Sequence, residues 1–335
     1  MTKKILFAGD LFVSESDPIR ISSLLDGYLT DQLFVANLEG APDFFGSRSK
    51  KAVALSLNQS VVEDLSGSGI YYSIVNNHTG DGGIDVYKRL QRLLANGGLA
   101  SSVHQKEPRQ FVDGQPLIFF ADEREECPCD AMGFLRFDQS VIDEYSNYID
   151  GSIVIVHGGI EYRPEPTFYQ RKLSHHMIDL GATSVIFHHS HIKGSYEWYG
   201  DRLIHYGLGN FYFSHVGDMH GLETINGCVL QYDRDSGSFS EAEVVYSALE
   251  VDASPTLSLE FSSLSPSTML VPLSSYRNWY RKRYRMDSSF RPRQLSSHEW
   301  VIRWQWNAWY SVASVMVRMG ITARVKAVLK WMLRR

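Results

Sequence analysis

Two short apolar runs, each ending in histidine, constrain the fold of this 335-residue chain more than any other feature. Residues 153–156 precede His157, and residues 184–187 precede the segment HHSH, which begins at His188. Both runs are rich in β-branched residues and lack polar alternation, which is typical of strands buried in a parallel sheet. Parallel strands end at the same sheet edge, where open α/β sheets place their sites. We therefore expect several imidazoles to meet at one edge of a sheet.

Three earlier strand-like runs also end in polar side chains. Residues 4–8 precede Asp10, residues 33–36 precede Asn37 and Glu39, and residues 70–75 precede Asn76, Asn77 and His78. A single histidine at a strand end is more often structural than a ligand, but five successive strand ends of this kind favour a metal centre. Carboxylate, amide and imidazole donors together suit Mn²⁺, Fe²⁺ or Zn²⁺, bound as one ion or two. The predicted metal ligands are Asp10, Glu39, Asn77, His157, His189 and His191.

The length of the chain allows one large α/β domain with an appendage, and the charge distribution locates that appendage. Residues 276–335 contain 14 Lys and Arg against 2 Asp and Glu, although the whole chain has a net charge of −5. A stretch rich in Ser and Pro, residues 251–275, precedes this basic segment. We predict a domain over residues 1–250, a linker over 251–275 and a helical tail over 276–335.

The basic tail interleaves arginine with aromatic residues and holds six of the seven tryptophans of the chain. This pattern favours an amphipathic helix that lies in a lipid interface, so a membrane surface is the first predicted partner. Packing of the tail on the acidic domain or on a partner helix is an alternative, since opposite charges attract. Single-stranded nucleic acid is the partner that the sequence favours least.

The compartment is predicted from the amino terminus and the cysteines. The first dozen residues hold an apolar run too short for a signal peptide before Asp10, so we predict a cytoplasmic protein, peripheral at the inner membrane if the tail binds lipid. The chain has three cysteines, an odd number that favours no disulfide framework.

The order of these motifs resembles a known family. Asp10, NLEG, NNH with a following Asp-Gly-Gly, HGGIEY with Gln170, HHSH and YGLGNF resemble the bacterial capsule-synthesis CapA family, also called the poly-γ-glutamate biosynthesis family. The resemblance covers roughly residues 4–215. That family belongs to the calcineurin-like metallophosphoesterase superfamily, so the resemblance implies a four-layer α/β/β/α sandwich with metals at the loops after the strands.

The resemblance also implies an activity and its residues. It implies a metal-dependent hydrolase that serves capsule, exopolysaccharide or poly-γ-glutamate production, with a capsular polymer or a phosphorylated precursor as its partner. The bond attacked is a phosphoester, with an acyl carbon as the alternative, and His78 protonates the departing oxygen. Side chains expected to touch substrate or to support the ligands are Asn76, Glu161, Tyr162, Arg163, His188 and Asn210.

One residue departs from the superfamily pattern. Phe12 stands where the superfamily usually has a histidine ligand, so the ion held by Asp10, Glu39 and His191 is expected to bind weakly. The other predicted position keeps four ligands, namely Glu39, Asn77, His157 and His189. Phe12 favours an alternative function, a non-catalytic, membrane-associated assembly subunit of a capsular polymer system, whereas His78 beside Asn77 favours the enzyme.

Overall fold

The computed structural model describes residues 4–14, 19–25, 27–29, 31–42, 55–57, 59–66, 70–96, 100–101, 108–122, 129–214, 227–246, 257–264 and 272–285. These residues fall into two compact units. The larger unit comprises the described parts of residues 1–47 and 55–270, and the second unit includes the described residues from 272 onward.

The larger unit is a mixed α/β fold, as predicted. Its strands are β1 (Lys4–Phe12), β2 (Leu33–Leu38), β3 (Ala41–Pro42), β4 (Ser56–Leu57), β5 (Ile70–Ser73), β6 (Ala100–Ser101), β7 (Arg109–Val112), β8 (Gln115–Ala121), β9 (Leu135–Arg136), β10 (Ile153–His157), β11 (Ser184–His188), β12 (Tyr196–Tyr199), β13 (Arg202–His205), β14 (Asn210–Phe213), β15 (Cys228–Asp233), β16 (Phe239–Glu243), β17 (Val245–Tyr246), β18 (Leu257–Ser258) and β19 (Ser262–Ser263). Its helices are α1 (Ile21–Leu24), α2 (Gln59–Ser66), α3 (Ile84–Asn96), α4 (Cys129–Met132), α5 (Gln139–Glu144), α6 (Ser146–Ile149) and α7 (Phe168–Asp179). The second unit contains α8 (Leu273–Arg285).

The first sheet has the order β19-β16-β15-β1-β2-β5-β6, and β14 also pairs with β1. Strand β1 is parallel to β2 and β14 and antiparallel to β15. Its path depends on Gly9, because a Cβ atom there would lie 1.9 Å from the carbonyl oxygen of Gly209. The same oxygen accepts a hydrogen bond from the Asp10 backbone N–H at 2.8 Å. The close approach of these two glycines fixes the position of Asp10 within β1.

The second sheet has the order β12-β13-β11-β10-β8-β7, and β9 pairs with β8. The two apolar runs identified in the sequence form β10 and β11, which are adjacent, parallel and fully buried. Their register places His157 directly beside His188. The prediction that these strands deliver histidines to one sheet edge is confirmed.

Part of the predicted linker has regular structure in the larger unit. Strand β19 adds to the edge of the first sheet by pairing with β16, and β18 pairs with β17. Helix α8 begins near the end of the predicted linker, and the tail after residue 285 lies outside the described residues. No helix in the described part of the chain combines the length and the apolar character needed to cross a bilayer.

A buried ion pair ties α7 to the edge of the second sheet. The Arg171 guanidinium donates to both carboxylate oxygens of Glu197, and both side chains are buried. His175 Nε2 lies 2.9 Å from Glu197 Oε1, and the hydroxyl of Tyr206 also donates to that oxygen. Burial would raise the pKa of Glu197, but the hydrogen bonds from these three neighbours lower it to about 2.

We predict that Glu197→Gln destabilises the protein by about 3 kcal/mol at pH 7, since it removes the charge opposite a buried guanidinium. A carboxyl with a lowered folded-state pKa stabilises the fold above its unfolded value near 4.5. That contribution is lost as pH falls toward about 2, so the difference in the free energy of unfolding between wild type and Glu197→Gln should shrink in acid. Urea unfolding at pH 7 and pH 3 measures the difference. The matched control is Asp143→Asn, which breaks an exposed pair with His176 and should leave the unfolding midpoint unchanged.

Candidate metal centre

The carboxyl ends of β1 and β11 meet at the Asp10 carboxylate. Asp10 Oδ2 accepts a hydrogen bond from the His189 backbone N–H at 3.2 Å. The Nδ1 atoms of His188 and His191 each lie 3.5 Å from an Asp10 carboxylate oxygen. All four residues are buried. The histidines of the second sheet therefore surround an acid from the first.

Asn37, at the end of β2, connects the members of this cluster. Its amide nitrogen lies 2.8 Å from Asp10 Oδ1, 3.2 Å from Glu39 Oε1 and 3.3 Å from His157 Nδ1. Its side-chain oxygen accepts from the amide of Asn76 at 3.3 Å. Asn37 is not among the site residues predicted from the sequence, although it is the first residue of the NLEG motif. Its position shows that it orients two carboxylates at once.

Glu39, Asn77 and His157 lie together on the other side of Asn37. His157 Nε2 is 2.9 Å from the side-chain oxygen of Asn77 and 3.9 Å from Glu39 Oε1. The imidazole rings of His157 and His189 also approach edge to face, with 4.9 Å between their centroids. The four residues predicted to share one metal position are therefore neighbours.

The backbone at the HHSH segment is strained. His189 has φ of 88° and His191 has φ of 55°, positive values that residues other than glycine rarely adopt. Each such residue costs on the order of 1–3 kcal/mol unless its surroundings hold it there. Here the Asp10 carboxylate holds the His189 N–H, and the Asn210 side-chain oxygen lies 2.9 Å from His191 Nδ1. The strained conformation turns both rings toward the acids.

His78 is oriented by an acid of its own motif. Its Nδ1 lies 2.7 Å from Asp81 Oδ2, which also accepts from the Leu55 backbone N–H. The Asn76 side-chain oxygen accepts from the backbone N–H of His78, so the turn after β5 is closed by its own side chains. A hydrogen bond from Nδ1–H to Asp81 leaves the lone pair on Nε2. The spacing of three residues between His78 and Asp81 is a sequence signal that could have predicted this contact.

Burial and mutual proximity set the charges of the cluster. Burial, together with the negative charge of Asp10, raises the pKa of Glu39 well above its ordinary value. Burial would also raise the pKa of Asp10, but the imidazoles of His188 and His191 lower it below the usual range. Burial and the proximity of His189 lower the pKa of His157, which favours a neutral imidazole with a free lone pair.

The donor set fits a divalent cation. Glu39 Oε2 is buried and has no hydrogen-bond partner among the described residues. The ligand atoms of Asp10, Glu39 and His191 lie within 4.8 Å of one another. Two adjacent ligand atoms on an ion with bonds of about 2.1 Å are separated by roughly 3 Å, close to the distance between His157 Nε2 and the Asn77 oxygen. A metal ion would supply the missing partner of the Glu39 carboxylate, which is buried beside the imidazole of His157.

The residues predicted to support the site fall into two groups. Asn76, His188 and Asn210 are buried. Asn76 donates to Asn37, His188 Nδ1 lies 3.5 Å from Asp10, and the Asn210 side-chain oxygen lies 2.9 Å from His191 Nδ1. The other group, Glu161, Tyr162 and Arg163, is half-buried on the loop after β10. The Tyr162 ring lies 6.0 Å from the ring of His191, and the Arg163 backbone N–H donates to the carbonyl of Ile160.

Comparison with known proteins adds independent evidence. Residues 139–215 match the model of the family described as bacterial capsule synthesis protein PGA_cap. The chain is 28% identical over 250 residues to the PGA biosynthesis protein CapA of Bacillus subtilis (strain 168), covering 69% of this chain and 64% of that protein. It is 36% identical over 87 residues to the capsule biosynthesis protein CapA of Bacillus anthracis, covering 26% of this chain and 20% of that protein.

Over these matched segments the chain is similar to the CapA family. The matched segment contains His157, His189, His191 and Asn210, which are four of the predicted site residues. The chain spans less than two thirds of the length of either CapA relative. The CapA resemblance predicted from the ordered motifs is therefore confirmed.

We predict that Mn²⁺ raises the melting temperature of the protein and that chelation reverses the rise, because a ligand that binds only the folded state stabilises it. At one hundred times the dissociation constant the stabilisation is about 2.7 kcal/mol. His189→Asn should abolish the Mn²⁺-dependent shift, since asparagine tolerates a positive φ but supplies no imidazole. His176→Asn, at an exposed histidine on α7, is the matched control and should keep the full shift. Equal shifts in wild type and His189→Asn would contradict the assignment.

Proposed function

We propose that this CapA-family chain is a metal-dependent hydrolase of the phosphoesterase type that acts in capsule, exopolysaccharide or poly-γ-glutamate biosynthesis. The observation that carries the proposal is the convergence of two carboxylates, an amide and three imidazoles from five strand ends on one buried cluster. The printed names of the two relatives, which concern capsule and PGA biosynthesis, support the biological process. The proposal includes a four-layer arrangement of helices and sheets, and a capsular polymer or a phosphorylated precursor as substrate.

The ligands proposed for the metal are Asp10, Glu39, Asn77, His157, His189 and His191. A divalent ion at such a centre lowers the pKa of water and withdraws charge from a phosphoryl group. The ion would be Mn²⁺, Fe²⁺ or Zn²⁺, since the donors mix carboxylate, amide and imidazole. Asn37 fixes the directions of the Asp10 and Glu39 carboxylates, so the ligand geometry is set before any substrate arrives.

His78 is proposed to supply the proton for the departing oxygen. Asp81 holds Nδ1 and so presents Nε2 as the atom that gives and takes the proton. The side chain is 9% exposed, which allows a substrate to reach one edge of the ring while water is largely excluded. His78 directly follows Asn77, so the proton donor and a proposed metal ligand occupy one turn.

We predict that His78→Ala lowers kcat for an alkyl phosphodiester by 10²- to 10⁴-fold in the presence of Mn²⁺, the usual contribution of a general acid. Because His78 is not a proposed ligand, the variant should keep its Mn²⁺-dependent rise in melting temperature. A leaving group that needs no proton, such as 4-nitrophenolate, should reduce the loss relative to an alkyl leaving group. The measurement is the initial rate with bis(4-nitrophenyl) phosphate, followed as released 4-nitrophenolate, and with a dialkyl phosphodiester, followed as released alcohol.

The control is His189→Asn, which should lose activity and metal binding together. If wild type, His78→Ala and His189→Asn show the same background rate although wild type binds Mn²⁺, the hydrolase proposal is wrong. The alternative, a non-catalytic assembly subunit, would then account for the cluster. An apolar wall on one side of His191 favours that alternative, since Phe213 lies 5.0 Å from its ring and Phe12 packs on Phe213.

We also propose that residues 276–335 bring the protein to the inner face of an anionic membrane. Helix α8 carries five arginines and lysines, and its sequence contains no acidic residue. Two half-exposed aromatic residues, Trp279 and Tyr280, accompany them on the same helix. Aromatic and basic side chains together suit the headgroup region of a bilayer.

Full-length protein with Arg281, Lys282 and Arg283 replaced by glutamate should lose sedimentation with vesicles containing phosphatidylserine. Each basic residue near such a surface contributes about 1 kcal/mol, so removing three attractions weakens binding by at least about a hundredfold. Vesicles of phosphatidylcholine alone are the control and should bind neither protein strongly. Equal binding of wild type and variant to anionic vesicles would contradict the membrane proposal.

A further inference from the structure

A second group of ligand atoms lies beside the cluster described above. One atom each from Glu161, His189 and His191 falls within 4.8 Å of the other two. His191 also belongs to the group formed with Asp10 and Glu39. The two groups therefore share the imidazole of His191. Glu161, which is half-exposed, adds a third carboxylate to the buried Asp10 and Glu39.

The loop that carries Glu161 is attached to the loop that carries the histidines. The backbone N–H of Tyr162 donates to the carbonyl of Ser190 at 2.8 Å, and that of Gly158 donates to the carbonyl of His188 at 3.3 Å. Tyr162 has φ of 58°, so the chain is held in a rarely adopted conformation immediately after Glu161. These contacts on both sides of Glu161 hold its backbone near the segment that carries His189 and His191.

On another side of His191, the neighbouring side chains in the described part of the chain are aromatic. The Phe213 ring lies 5.0 Å from the His191 ring, and Phe12 packs against Phe213 at 5.1 Å. His191 Nδ1 lies 2.9 Å from the Asn210 side-chain oxygen, an arrangement in which Nδ1 carries the proton. The lone pair is then on Nε2, which is the nitrogen available to a metal.

We propose that Glu161 is a metal ligand that completes a second cation position with His189 and His191, next to the Asp10 and Glu39 carboxylates. This inference rests on the metal centre of the proposed function. A carboxylate with two imidazoles is a donor set that Mn²⁺, Fe²⁺ and Zn²⁺ all accept. A second divalent charge also offsets the repulsion among three neighbouring carboxylates, which a single ion offsets less completely.

The test compares Mn²⁺ binding by wild type, Glu161→Gln and Glu165→Gln, each as the full chain. Glutamine keeps the size of the side chain and removes its charge, and Glu165 lies on the same loop but in none of the ligand groups among the described residues. We expect wild type and Glu165→Gln to bind two Mn²⁺ per chain by elemental analysis and calorimetry. Glu161→Gln should weaken the weaker ion by at least about tenfold. Its electron paramagnetic resonance spectrum should lose the signal of a spin-coupled Mn²⁺ pair and keep that of an isolated ion.

Several results would overturn the inference, and they separate it from the proposed function. Two ions of unchanged affinity in Glu161→Gln, or a single ion in wild type, would exclude Glu161 as a ligand and would leave the proposed metal-dependent hydrolase unaffected. Equal weakening in both variants shows a general effect of loop charge. A lower melting temperature of metal-free Glu161→Gln, without a change in Mn²⁺ affinity, shows a structural role. Absence of Mn²⁺ binding in all three proteins overturns the inference and the proposed metal centre together.

Discussion

The contact between the Asp10 carboxylate and the HHSH segment joins the two sheets of the larger unit at their functional edge. Asp10 lies in β1, and its carboxylate accepts a hydrogen bond from the backbone N–H of His189, which lies 179 residues later in the chain. Because the acid is buried, its charge must be balanced by nearby donors, and the imidazoles of His188 and His191 take those positions. The geometry of every other proposed ligand is arranged around this contact, with Asn37 as the link to Glu39 and His157.

Two buried acids elsewhere in the protein are satisfied by neighbouring side chains. Glu197 accepts from Arg171, His175 and Tyr206, and it therefore remains ionised. Glu241 likewise lies 2.9 Å from His205 and pairs with Lys193. These networks bind α7 and the sheets together.

The candidate metal centre differs in kind from those networks. One carboxylate oxygen of Glu39 has no hydrogen-bond partner among the described residues, and Glu39 is held close to a second buried acid. Two histidines beside it adopt left-handed backbone conformations. A buried carboxylate oxygen without a hydrogen-bond partner and a strained backbone both lower the stability of the fold. Natural proteins keep such features where a bound ligand offsets the loss or where function requires them. This contrast distinguishes the metal centre from the structural ion pairs more clearly than the identity of its residues does.

The sequence by itself determined the α/β class, the strands β10 and β11, and the similarity to the CapA family, since buried parallel strands have an apolar, β-branched signature and the motifs follow in a fixed order. It also indicated which strand ends carry the proposed ligands, because strand ends can be recognised from where an apolar run stops. Only the tertiary structure decided that Asn37 orients the acids, that Asp81 holds His78, and that Glu161 belongs with His189 and His191. Periodicity locates a residue along one strand, whereas the meeting of side chains from two sheets depends on register and on backbone turns such as those at His189 and His191, which no local pattern encodes.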